Sequence, residues 1–132
     1  MGVGSDVRGG GKIWYPKNLR MDDYTIIADG VNCYNMAPVC IGGGSVVSQG
    51  AFLCGGTHDY TRLDRPLVSK PIFIEQDCWV AAEAFVGPGV RIGRGAILGA
   101  RAVAFSDLEP WTIYVGNPAR PVKTRTLDKA AK

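Results

Sequence analysis

The chain is poor in the features that most often announce a function. It has a single histidine, His58. That excludes a zinc centre of the three-histidine kind, because the metal would lack ligands. It has no apolar run of about 18 residues, the least that crosses a bilayer as a helix. No charged-then-apolar leader opens it. These two absences set the expectation of a cytoplasmic protein without a membrane span. Aromatic residues make up only 9% of the chain, so any core must be aliphatic. The four cysteines, Cys33, Cys40, Cys54 and Cys78, form no C-x-x-C pair. They are expected as free thiols, with neither metal nor disulfide. Nucleic-acid binding is not expected either. The basic residues Arg120, Lys123, Arg125, Lys129 and Lys132 crowd into the last sixteen positions without interleaved aromatics.

What the chain does have is a period. From Ile74 to Glu109 it divides into IEQDCW, VAAEAF, VGPGVR, IGRGAI, LGARAV and AFSDLE. First places hold Ile74, Val80, Val86, Ile92, Leu98 and Ala104; fifth places hold Cys78, Ala84, Val90, Ala96, Ala102 and Leu108. Chance would make all twelve apolar on the order of once in ten thousand, so the period is signal. Six suits neither an amphipathic helix nor a long strand. It suits a solenoid of short parallel strands, the hexapeptide β-helix. Three sixes make one triangular coil. First-place side chains fill the axis, and fifth-place side chains fill the narrower space near a corner.

Sixth places face out. On this register Trp79 stacks with Ile97, Phe85 with Val103, and Arg91 with Glu109. Two apolar outer faces predict an interface, most simply in a closed homotrimer.

The sixes extend backwards from this stretch. YPKNLR, MDDYTI, IADGVN and CYNMAP give first places Tyr15, Met21, Ile27 and Cys33. Two extra residues, Val39 and Cys40, then break the register before IGGGSV, VSQGAF and LCGGTH. After an excursion, VSKPIF resumes with Val68 and Ile72 in the inward places. Met1 to Lys12 is Gly-rich and expected to be flexible. Beyond Glu109 an extended run and a short helix from about Lys123 are expected to cover the open end. These bounds predict a β-helix domain over residues 13–120 with an extruded loop over 59–67, then a tail over 121–132.

Chemistry concentrates at two points. His58 closes a six in the outward place, at the root of the excursion, where a general acid–base could work. Asp59 follows it, and Cys54 stands four residues before it as a second nucleophile candidate. Gly116-Asn117-Pro118-Ala119-Arg120 makes a turn leaving the last coil, and with Lys123 it offers charge for phosphates. From these residues alone an enzyme and a silent scaffold both stay open.

The sixes, GTHDY at 56–60 and YVGNPARPVK at 114–123 resemble the hexapeptide-repeat O-acetyltransferases. GKIWYPKNL, CYNMAP, SQGAFLC and CWVAA are similar to the group that serves colanic acid biosynthesis. The resemblance covers roughly Gly11 to Arg125. It implies an all-β, left-handed parallel β-helix, a homotrimer, and acetyl-CoA as co-substrate held between neighbouring subunits, without metal. It implies His58 as catalytic base. It implies Ala82, Gly99 and Ala100 beside the pantetheine arm, and Phe105 and Ser106 where the coenzyme passes the next coil. Asn117, Pro118, Arg120 and Lys123 would meet its distal end. Asn35, Asp59 and Trp79 would face the acceptor, a sugar, nucleotide sugar or lipid-linked glycan. An amino-sugar N-acetyltransferase is the neighbouring enzyme reading.

Overall fold

The computed structural model describes residues 1–128. Its chain winds as a left-handed parallel β-helix of about five turns. The first coil holds β1 (Asp6–Val7) and β2 (Lys12–Ile13). The second holds β3 (Leu19–Met21), β4 (Ile26–Ile27) and β5 (Asn32–Tyr34). The third holds β6 (Val39–Ile41), β7 (Val46–Val47) and β8 (Phe52–Cys54). A hairpin of β9 (Gly56–His58) and β10 (Leu67–Ser69) then leaves the coil. The fourth coil holds β11 (Ile72–Ile74), β12 (Trp79–Val80) and β13 (Phe85–Val86). The fifth holds β14 (Arg91–Ile92), β15 (Ile97–Leu98) and β16 (Val103–Ala104). Leu108 bridges to Ile92, and β17 (Thr112–Val115) and β18 (Arg120–Thr124) close the chain.

Three flat faces result. Strands β1, β4, β7, β12, β15 and β17 stack as the first; β2, β5, β8, β13 and β16 as the second; β3, β6, β11 and β14 as the third. Strands two or three residues long cannot hold a sheet alone. Their ladders run from coil to coil, so each coil supplies the next one's hydrogen bonds. The axis is filled by aliphatic side chains such as Ile27, Leu53, Ile92 and Leu98, all at most 2% exposed. Each such burial is worth roughly 1.5–3 kcal/mol. Thr25 and Ser45 stand inward among them without penalty. Thr25 Oγ1 donates to the Asp22 carbonyl, and Ser45 Oγ donates to the Glu75 carbonyl while accepting from Cys78 N.

Several details differ from the expected register. The Gly-rich start is a paired coil: Val7 lies beside Ile27 and Ile13 beside Cys33. Tyr15 is not an inward residue; it is 55% exposed, and Ile13 holds the inward place. The step from Ile13 to Met21 therefore carries two extra residues, like the step from Cys33 to Ile41. Val68 belongs to the hairpin, opposite Thr57, and the coil resumes only at Ile72. Trp79 does stack with Ile97, and Phe85 with Val103. On the third face Arg91 stacks on Phe73, and its backbone N–H meets Asp107, not Glu109. Leu108 has opened a new coil there, so the sixes shift at the end.

The terminal helix is absent among the described residues. Arg120–Thr124 instead doubles back antiparallel on β17 and covers the edge of the first face. Pro121 suits an edge strand, which needs fewer donors, and Pro118 sits in the turn before it. Arg125 then pins the tail by donating Nη1 to the carbonyls of Asp77 and Gly95 at 2.7 and 3.0 Å. Residues 129–132 of the expected helix lie outside the described residues.

All four cysteines are free, but their environments split them. Burial pushes the Cys33 thiol up to about 12, and burial chiefly pushes Cys78 up to about 11, against an ordinary value of 9.0. Raised folded values favour the protonated fold. The stability they confer is full below pH ~9 and is lost as pH rises from there through the folded values. The melting temperature is expected to fall above pH ~9. Native protein at pH ~8 should titrate only Cys40 and Cys54 with a thiol reagent, and all four after denaturation. Rapid labelling of all four in native protein would contradict this.

Candidate functional site

His58 is held away from the coil by a hairpin that the sequence builds locally. Gly55 and Gly56 let the chain turn out beside the coil below, where a side chain would collide. A Cβ on Gly56 would come within 2.7 Å of the Tyr34 ring. Beyond His58, Asp59 folds the loop tip: its carboxylate accepts from the Thr61 amide and from the Thr61 hydroxyl. Those two bonds, the hydroxyl's first, hold the Asp59 carboxyl below the usual carboxylate range. Arg62 and Asp64 pair at 2.9 Å. Arg65 takes φ +45°, a left-handed conformation uncommon for a side-chain-bearing residue.

That turn aims the Arg65 carbonyl at the imidazole. His58 Nδ1 lies 2.8 Å from the carbonyl oxygen. A carbonyl can only accept, so Nδ1 carries the hydrogen, and in the neutral ring Nε2 presents the lone pair. His58 itself is exposed. The result is an oriented base whose tautomer is set by backbone. Asp59, the obvious candidate to orient the ring, is occupied by Thr61 instead. Sequence reasoning missed Arg65 because its contribution is a carbonyl, which every residue has. Arg-Pro at 65–66 gave no signal either, since a residue before proline favours extended backbone and Arg65 is left-handed.

The other candidates fall along the edges of the prism. Ala82 and Ala100 lie one above the other on the edge between the first and second faces, where Arg101 N donates to the Ala82 carbonyl. Gly99, Asn117 and Pro118 continue that edge upward, for Gly99 N donates to Tyr114 O and Val103 N to Gly116 O. Arg120 opens β18 just beyond, and Lys123 stands further along, opposite Ile113. Both are exposed, and neither has an ion pair among the described residues. A shallow groove of about 880 Å3 follows the same edge from Gly9 to Glu83, with Ala82 in its wall.

Phe105 and Ser106 lie on the next edge, the one that carries the His58 hairpin. Phe105 is 66% exposed and leans on Phe85 at 5.7 Å. Trp79 lies on the first face with its indole donating to Ser48 Oγ at 2.8 Å. One chain therefore does not bring His58 together with Ala82, Ala100 or Trp79. Asn35 gives way to a structural role. It is 0% exposed, and its amide exchanges hydrogen bonds with Tyr15 N and O, bracing the corner insertion. Cys54 donates its thiol to the Gly56 carbonyl. No cluster of three metal-ligating side chains occurs among the described residues.

The coil geometry has close counterparts. A crystal structure of a hexapeptide-repeat acetyltransferase from Vibrio cholerae superposes with a TM-score of 0.88 at 28% identity, over 96% of this chain and 74% of that one. The same Vibrio protein complexed with acetyl coenzyme A gives 0.85 at 27%, over 96% and 71%. The chain is thus similar to the hexapeptide-repeat acetyltransferases in fold and in sequence. No family profile matches it. Among curated proteins, WcaF of Escherichia coli K12 is an acetyltransferase assigned to colanic acid biosynthesis. It is 40% identical over 114 residues, 86% of this chain. The chain spans 63% of the length of that relative. A galactoside acetyltransferase in complex with coenzyme A shares the fold, with a TM-score of 0.78 at 19% identity over 94% of this chain and 66% of that one.

Proposed function

We propose that the chain is the β-helix of an acetyl-CoA-dependent O-acetyltransferase that acts on a sugar hydroxyl in surface polysaccharide assembly. The observation that carries this reading is the Arg65 carbonyl on His58 Nδ1, which leaves Nε2 as an exposed base. The likeness to the Vibrio hexapeptide-repeat acetyltransferase and to WcaF supports the reaction class. His58 Nε2 accepts the proton of the acceptor hydroxyl as its oxygen attacks the thioester carbonyl. The carbon–sulfur bond then breaks, and the imidazolium returns the proton to the departing sulfur. A base in this position contributes about 10²–10⁴-fold.

The working unit is a homotrimer. Trp79 remains 45% exposed on the first face, while Phe85 and Val103 are half-buried on the second. Such apolar stripes gain by meeting. The proposed site lies where the small-residue edge of one copy meets a neighbour's His58 hairpin. Ala82, Gly99 and Ala100 leave room there for the pantetheine arm, and Arg120 and Lys123 supply charge for the phosphates. The cytoplasm suits the reaction, since the four free thiols stay reduced there.

The test is thiol release from acetyl-CoA in the presence of sugars, nucleotide sugars and lipid-linked glycans. Acetyl transfer to a hydroxyl supports the reading, and transfer only to amino sugars would replace it with N-acetylation. Arg120 and Lys123 carry a further expectation. Changing both to Ala should weaken coenzyme A binding more than dephospho-coenzyme A binding, and flatten its salt dependence. Equal losses for the two ligands in calorimetry would remove the phosphate from these residues.

A further inference from the structure

An aromatic pair lies directly against the His58 hairpin, and the transfer step makes no use of it. Tyr34 ends β5 with its side chain outward; the inward neighbour, Cys33, is fully buried. Its ring meets Trp14 edge-to-face at 5.1 Å and 90°. Trp14 is fixed in turn: its indole donates to Asn32 Oδ1 at 3.0 Å, and Lys12 Nζ sits 3.6 Å from its ring centroid.

Above Tyr34 runs the strand that carries the base. The ring fits there because residue 56 has no side chain: a Cβ would stand 2.7 Å from Tyr34 Cε2. Alternate residues of a strand share a face. The face of β9 that Gly56 turns to Tyr34 is therefore the face on which His58 projects. Leu67 pairs with His58 across the hairpin, and its Cδ1 would lie 3.4 Å from that same Cβ. Tyr34, Leu67 and His58 thus line one side of the hairpin. Glycine in a strand weakens it, and such positions often mark close approach of another group. No hydrogen bond engages the Tyr34 hydroxyl among the described residues.

We infer that Tyr34, braced by Trp14 and admitted by Gly56, is the platform on which the acceptor sugar rests, and that it selects a closed pyranose ring. The inference rests on the reading of His58 as the base. A pyranose has an apolar face of C–H groups and a rim of hydroxyls. The negative face of an aromatic ring attracts the former. The free phenol can bond one of the latter. An open-chain polyol has similar hydroxyls but no flat face, so it gains little from the ring.

The experiment compares methyl pyranosides with galactitol on the full chain, by saturation-transfer NMR and by acetyl-CoA kinetics. The native protein should prefer the pyranosides. Tyr34→Leu should raise the acceptor KM by about tenfold, the worth of one aromatic contact, and erase the preference. Its kcat and its KM for acetyl-CoA should stay near native, which a merely structural loss would not permit. Tyr34→Phe should keep the preference for rings. Gly56→Ala, which pushes the ring aside, should act like Tyr34→Leu. An unchanged acceptor KM in Tyr34→Leu, or a surviving ring preference, overturns the inference. So does a native protein to which no pyranoside binds. Pyranosides that bind through Tyr34 without being acetylated would sink the transfer reading and leave the platform standing.

Discussion

His58→Ala is expected to lower acetyl transfer by about 10²–10⁴-fold while leaving the melting temperature and coenzyme A affinity near native. The side chain is exposed and fills no part of the core, so stability has little to lose. Its one hydrogen bond goes to the Arg65 carbonyl, which water can satisfy after the ring is gone. His58→Asn should be as poor as His58→Ala, because an amide can hydrogen-bond the acceptor but cannot take its proton. Asp59→Asn is the informative contrast. An asparagine oxygen still accepts from Thr61, so the loop tip should hold and the rate should stay within a few-fold of native. If Asp59→Asn lost as much as His58→Asn, the carboxylate would be the partner of the imidazole, and the tautomer argument would fall. Near-native turnover by His58→Asn would remove His58 as the base and return attention to the Cys54 thiol.

The repeat of six made the coil legible because it is a property of the axis. First-place residues from Ile74 to Ala104 are inward, and each has the coil above or below as its neighbour. The pattern misled where corners vary. Corners face solvent, so they accept extra residues with no penalty to the axis. The two steps from second to third face, Ile13 to Met21 and Cys33 to Ile41, each absorbed two. Only the later insertion was visible, because Tyr15 passed as an apolar first place while Ile13 held it. Leu108 was read correctly as buried but in the wrong role, since an apolar residue satisfies a first or a fifth place equally well.

The site was legible in part for a related reason. His58 stood out as the only histidine, at a break in the pattern. Its orienting group did not, because a backbone carbonyl has no letter in the sequence. Gly56 hinted at close approach, but the approaching group, Tyr34, comes from the coil below. The tail illustrates the same limit. Its prolines foretold an extended run, yet the choice between helix and returning strand depended on the unpaired edge of β17. That edge exists only once five coils have stacked.

Phe85→Asp should abolish activity without touching a catalytic atom. Phe85 is half-buried in the single chain, stacked between Phe52 and Phe105 at 5.3 and 5.7 Å on the second face. It therefore needs only modest packing within its own coil, while Val86 beside it carries the core contact. In a trimer the same ring would be covered by the neighbour's first face, where Trp79 and Ile97 stand. A carboxylate there would be buried without a partner, which typically costs several kcal/mol for each interface that closes. Three such interfaces should not close. The single chain keeps His58 on one edge and Ala82 and Ala100 on another, so if the site is shared as proposed, a dissociated copy would hold only half of it. Light scattering should report a trimer for the native protein and a folded monomer for Phe85→Asp, with acetyl transfer lost to below about one-thousandth, as expected when reacting groups are no longer held together. A native protein that is monomeric at micromolar concentration and still active would overturn the shared site. So would a monomeric Phe85→Asp variant that kept its turnover.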